Sequence, residues 1–131
     1  TIRAVAQKAI KEISYHAQWS AEWVIRLGDG TEESHNRVQS SLNELWEWSG
    51  EMFVMDAIDD SMFAAGIGTD LNSIKERWDQ KVEEILDLAK LDKPAGEWMQ
   101  SGGKQGDHTE YLGFILAEMQ HLPRMHPDAN W

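Results

Sequence analysis

Glu12 and His16 are the two side chains whose types and spacing most resemble chemistry. They stand four positions apart in Lys11-Glu12-Ile13-Ser14-Tyr15-His16, so on a helix they share a face, one turn from each other. A carboxylate and an imidazole on one helix face are the ligand types of di-iron helical bundles, where the usual unit is Glu-x-x-His. Here the position three before His16 is Ile13, and the carboxylate lies one residue away, about 100° round the helix. Glu12 and His16 are therefore metal candidates that still lack a convergent set of partners. The plainer reading is a packing histidine with a local carboxylate neighbour.

Other chemical signals are weaker. Lys104 follows Gly102-Gly103, but a phosphate loop requires Gly-x-x-x-x-Gly-Lys and then Ser or Thr. Trp98 holds the first glycine position and Gln105 the last, so the pattern fails at both ends. His108, Glu110, His121 and His126 crowd the C-terminal stretch without a His-Glu-x-x-His spacing. His108 reads as a helix-start residue, and the other two histidines as surface. No Gly-x-Ser-x-Gly elbow accompanies the serines. The acidic pairs Asp59-Asp60 and Glu83-Glu84 read as solvated faces. The seven tryptophans fit core or protein-interface anchors better than a cofactor box. No catalytic residue and no cofactor-binding residue is assigned in this chain.

These residues ride on an all-α pattern. Apolar positions at Ile2, Val5, Ala6, Ala9, Ile10, Ile13, Ala17, Trp23, Val24 and Leu27 recur at helical spacing. The stripe is broad enough to demand neighbours on more than one side. Gly28 and Gly30 close this helix, and Thr31 with Glu32 and Glu33 caps the next. The second helix is expected to run to about Val54, followed by a short helix over 57–65. A longer helix follows, with Leu71, Ile74, Trp78, Val82, Ile85 and Ala89 on one face and Asp92-Lys93-Pro94 as its stop. Residues 95–107 show no periodicity, and Gly102, Gly103 and Gly106 mark a loop. A last helix is expected over 109–122, with Pro123 and Pro127 ending regular structure.

Composition bounds the function. The 131 residues carry 23 acidic against 12 basic side chains, a formal net charge of −11, and no cysteine. That length predicts one domain. The absence of cysteine rules out disulfides, thiolate metal sites and a cysteine nucleophile. The acidic balance argues against nucleic acid and anionic membranes as partners, and no apolar run reaches the length of a membrane span. A soluble, cytoplasmic domain is the expectation.

Two separated motifs carry a specific resemblance. The first is Lys8-Ala9-Ile10-Lys11-Glu12 to Tyr15-His16, with Trp23 and Arg26-Leu27-Gly28-Asp29-Gly30-Thr31-Glu32-Glu33-Ser34. The second is Ser101-Gly102-Gly103-Lys104, His108-Thr109-Glu110-Tyr111-Leu112-Gly113, Leu116-Ala117-Glu118-Met119-Gln120 and the terminal Trp131. Together they resemble the C-terminal half of the PaaC family, structural subunits of bacterial phenylacetyl-CoA 1,2-epoxidase, a ring-hydroxylating monooxygenase complex of aerobic phenylacetate degradation.

The resemblance implies a ferritin-like helical bundle, of which this chain would be the C-terminal portion with about four to five helices. It implies a partner subunit of related fold that carries the di-iron centre and binds the CoA thioester, and a homo- or hetero-oligomer. It also implies that the subunit resembled here has lost a working metal site, with Ile13 standing where an iron-ligating Glu would be. The family's subunit is about twice this long, its first bundle helices preceding Thr1. Two other readings stay open at this point. In one, the full-length protein binds iron through Glu12, His16 and upstream residues; in the other, the chain is a stand-alone acidic helical interaction module.

Overall fold

The computed structural model describes residues 2–96 and 98–130. Thr1 and the terminal Trp131 of the C-terminal motif lie outside the described residues. Among the described residues there are six α-helices and no strand, which gives the all-α, ferritin-like class. The expected last helix is split in two, so the count exceeds the expected four to five. The chain divides into two compact units, 1–100 and 101–131.

In the first unit, α1 (Ile2–Gly28) is 27 residues long, or about 40 Å. Helix α2 (Glu32–Leu45) and helix α4 (Leu71–Ala89) both pack against it. The buried centre is Leu86, Ala89 and Leu91, with Val24, Ile25, Val38, Leu42 and Val82 around them. Only the C-terminal part of α1 takes part. From Ile2 to Ser20 every residue is exposed except the half-buried Ala9. The neighbours that the broad stripe calls for are thus present on one side and at one end.

The α1–α2 corner is built from its own sequence. Thr31 caps α2 as its composition suggests: its side chain accepts from Ser34 N at 3.2 Å, while Ser34 Oγ accepts from Thr31 N at 3.0 Å. Ser34 Oγ also donates to Leu27 O at 2.7 Å, and His35 Nδ1 lies 2.8 Å from Gly28 O. An Asp29–Lys90 ion pair links the corner to the end of α4.

Helix α2 stops at Leu45 rather than near Val54. Two 3₁₀ turns, Trp46–Trp48 and Gly50–Phe53, follow it. Ser49 Oγ donates to Trp46 O at 2.7 Å, taking a carbonyl the α-helical ladder would use. Gly50 weakens the ladder further, and a side chain there would meet Met99 Cγ at 2.7 Å. The tighter turns bring Trp46 to 5.9 Å and Phe53 to 5.2 Å from Trp78, ring centre to ring centre.

Helix α3 (Ala57–Ala64) forms where expected. Asp56 Oδ1 accepts from Ile58 N at 2.8 Å and Asp59 N at 2.9 Å, and Asp59 Oδ2 accepts from Asp56 N at 3.1 Å. Asp59 is therefore half of a capping box rather than part of a solvated acidic face. Helix α4 is capped by Asp70, whose Oδ1 accepts from Asn72 N at 2.9 Å. It ends at Ala89, before Asp92-Lys93-Pro94, because Lys90 turns left-handed with φ 57°. Leu91 N then donates to Leu86 O at 3.0 Å, a Schellman-type closure that folds Leu91 into the core.

The second unit opens with a 3₁₀ turn, Gly103–Gln105, between Gly102 (φ 101°) and Gly106 (φ 99°). Gly102 O accepts from Gln105 N at 3.0 Å and Asp107 N at 2.9 Å. The expected final helix is two, α5 (Tyr111–Met119) and α6 (His121–Met125). Pro123 does not end regular structure; it sits in the first turn of α6, where its missing N–H costs no helical bond. Tyr111, Phe114, Ile115, Met119, Leu122 and Met125 are all exposed.

Candidate functional site

Glu12 and His16 fall one turn apart on the exposed half of α1. The Tyr15 ring lies edge-on to His16, with ring centres 6.1 Å apart. Among the described residues no group of three or more His, Asp or Glu could hold a metal ion. A di-iron centre needs several carboxylates and imidazoles converging from facing helices, and this pair offers one of each from a single helix. The residues present do not fit the group.

The remaining candidates are dispersed. Lys104 lies in the 3₁₀ turn of the second unit. His108 precedes α5 by three residues and does not start the helix, whose N-cap position is Glu110. His121 opens α6, and His126 follows its last residue; both are exposed, as read from sequence. Glu83 pairs with Lys93 at 2.9 Å and Glu84 with Lys81 at 2.8 Å, all at the surface.

What the structure does assemble is an apolar groove of about 790 Å³ in the first unit. Its floor comes from Ala17, Ala21 and Val24 on α1, with Leu42 and Leu45 on one flank and Ile85 on the other. Leu45 and Leu88, both on its lining, remain 63% and 55% exposed. That is high for leucines already inside a folded concavity, and leaves apolar surface unburied there. Polar groups at the margin are satisfied: Gln18 Nε2 donates to Glu22 Oε1 at 2.7 Å. Glu22 and Lys81 are the titratable side chains on the groove's lining, and most of the rest of the lining is apolar. Sequence reasoning did not find it, because it exists only where three helices meet.

A smaller recess of about 360 Å³ adjoins Trp46, Phe53 and Trp78. The segment after α4 closes over it. Asp92 exchanges two hydrogen bonds with Gln39 (2.8 and 2.9 Å), and Gln100 N donates to Glu47 O at 2.8 Å. Lys93 Nζ sits 5.8 Å from the Trp46 ring centre. Trp46 and Trp78 are thus core-side anchors, whereas Trp19, Trp23, Trp48 and Trp98 stay exposed.

No helix among the described residues is long and apolar enough to cross a membrane. Over residues 1–131 the chain matches the family model described as phenylacetic acid catabolic protein. It is 39% identical, over 130 residues and 99% of its length, to the PaaC subunit of the 1,2-phenylacetyl-CoA epoxidase of Escherichia coli (strain K12). It spans 52% of that relative's length. Match, motifs and helical architecture agree: the chain belongs to the phenylacetic acid catabolic protein family.

Proposed function

We propose that this chain is the C-terminal part of a non-catalytic structural subunit of a di-iron phenylacetyl-CoA epoxidase complex, acting in phenylacetate degradation in the cytoplasm. The observation that carries the reading is the donor set on α1. Ile13 occupies the position a Glu-x-x-His unit requires for its carboxylate, and Glu12 and His16 gather no third ligand among the described residues. The similarity to the PaaC subunit of an epoxidase supports the pathway and the multi-subunit setting.

In this reading the partner is a catalytic subunit of related fold, which holds the di-iron centre and the acyl-CoA. This chain supplies apolar helix faces that hold that partner in a stable hetero-oligomer. The oxygen chemistry belongs to the partner, and no residue here is assigned a step in it. The test is co-expression of the full-length protein with the catalytic subunit encoded alongside it. The reading expects one hetero-oligomeric species on size exclusion, and two separately eluting proteins would overturn it.

A second reading has one observation in its favour. Glu12 and His16 lie on a face of α1 that nothing in the first unit covers, so upstream helices could bring further ligands to them. Replacing Glu12 by Ala in the full-length protein separates the two readings, since only an iron-binding subunit would lose metal.

A further inference from the structure

The chain shows more surface than its size warrants. Its accessible area is 10829 Å². Folded bodies the size of the two units, 1–100 and 101–131, would together expose about 8,300 Å² even standing apart. The excess, about 2,500 Å², is roughly three times what a standard protein–protein interface takes from one partner. Phe53, Leu86, Ala89 and Leu91 are the buried hydrophobic residues among those described. That is half a core, not a finished core with one sticky patch.

We propose that the groove between α1, α2 and α4 is an inner wall of this protein's own bundle, closed by an apolar helix from the half of the polypeptide outside these 131 residues. The epoxidase subunit matched in Escherichia coli has room for that half, since the chain spans 52% of it.

The groove is shaped for a helix laid lengthwise. Along α1 its floor follows a 4-3-4-3 spacing, Ile10, Ser14, Ala17, Ala21 and Val24, the seam along which packed helices meet. That seam is about 21 Å long and runs out of the groove into the uncovered part of α1, where Ile10 is 61% exposed. Ser14, Ala17 and Ala21 let a second backbone come close, between walls that include Leu45 and Leu88.

The polar groups on the lining are already bonded. Ser14 Oγ donates to Ile10 O at 2.7 Å, Ser20 Oγ to Ala17 O at 3.1 Å and Ser49 Oγ to Trp46 O at 2.7 Å. Glu22 accepts from Gln18, and Lys81 pairs with Glu84. The lining therefore goes dry without stranding a hydroxyl and asks for no charged partner, which suits permanent burial.

This inference rests on the reading that the chain is part of a longer subunit, and not on what that subunit binds. The test uses the full-length protein carrying Leu45→Cys or Leu88→Cys, a thiol reagent, and peptide mass mapping of the labelled site; these 131 residues hold no native cysteine. In the full-length protein alone, both thiols should react about a hundredfold or more slowly than in urea, at every protein concentration. Leu45→Asn should lower its Tm by about 5–15 °C.

Rapid labelling of the protein alone, or an unchanged Tm for Leu45→Asn, overturns the proposal. If the catalytic subunit then protects the thiols, another subunit fills the groove; if nothing does, the groove stays open. Protection that grows with protein concentration also overturns it, because a second copy is then the occupant. A full-length protein that shields both thiols but does not bind the catalytic subunit would sink the structural-subunit reading and support this inference.

Discussion

Gly28 is the position where one methyl group should matter most. It lies at the end of α1 with a helical rather than left-handed backbone, so dihedral strain does not demand glycine there. Space does. A Cβ at Gly28 would stand 2.5 Å from Ala89 O, 2.9 Å from Ala89 Cβ and 3.2 Å from Leu91 Cγ. Ala89 and Leu91 are two of the four buried hydrophobic residues among those described, at 0% and 6% exposure. The Ala89 carbonyl cannot rotate away, so α1 must shift from α4 where the contact is driest, dragging the Gly28 carbonyl from His35. Overpacking of this kind costs about 1–3 kcal/mol. Helix propensity works the other way, since Ala is favoured over Gly by up to about 1 kcal/mol inside a helix.

The steric term wins, and Gly28→Ala should destabilise by about 1–2 kcal/mol, or roughly 3–10 °C in Tm for a chain of this size. Urea denaturation followed by circular dichroism reads it directly. Gly113→Ala is the control: nothing lies within 4 Å of its added Cβ, so propensity alone acts and stability holds or rises. Adding Ala89→Gly to Gly28→Ala removes the 2.9 Å clash but not the 2.5 Å one, and should show favourable coupling of about 0.5–1 kcal/mol. A Gly28→Ala variant as stable as wild type would refute the reasoning.

Lys90→Gly should stabilise by about 0.5–1 kcal/mol in thermal melts, because Lys90 is the one non-glycine described residue with positive φ. The exposed Lys90–Asp29 pair it sacrifices is worth little. Phe53→Ala should cost about 3 kcal/mol and red-shift tryptophan emission, since Phe53 is 9% exposed and packs on Trp78. Asp56→Ala should cost about 1 kcal/mol through two lost capping bonds at α3, with amide exchange at Ile58 and Asp59 faster than in wild type.

Local signals in the sequence carried furthest. Thr31 and Asp70 are short polar residues before apolar periodicity, and each caps its helix through bonds spanning two or three positions. The stops were harder. Ser49, Met52 and Phe53 continue the spacing of α2, so nothing periodic announces the 3₁₀ turns. Those depend on Ser49 competing for a carbonyl and on Met99, far later in sequence, filling the space at Gly50. Lys90 carries no sequence mark of a left-handed cap; its conformation follows from Leu91 folding back onto the core. Pro123 suggested an end and instead occupies a first turn. Among candidate residues, the Glu12–His16 spacing was legible, but their exposure depends on what packs against α1. The groove was invisible because its walls lie on helices far apart in sequence.

The most direct test of the structural-subunit account is the iron content of the full-length protein, purified aerobically without its catalytic partner. The account predicts close to none, with Glu12 and His16 left as surface or packing residues. About two irons per chain, the count expected of a di-iron carboxylate bundle, would contradict it and make this chain part of a metal-binding oxygenase subunit.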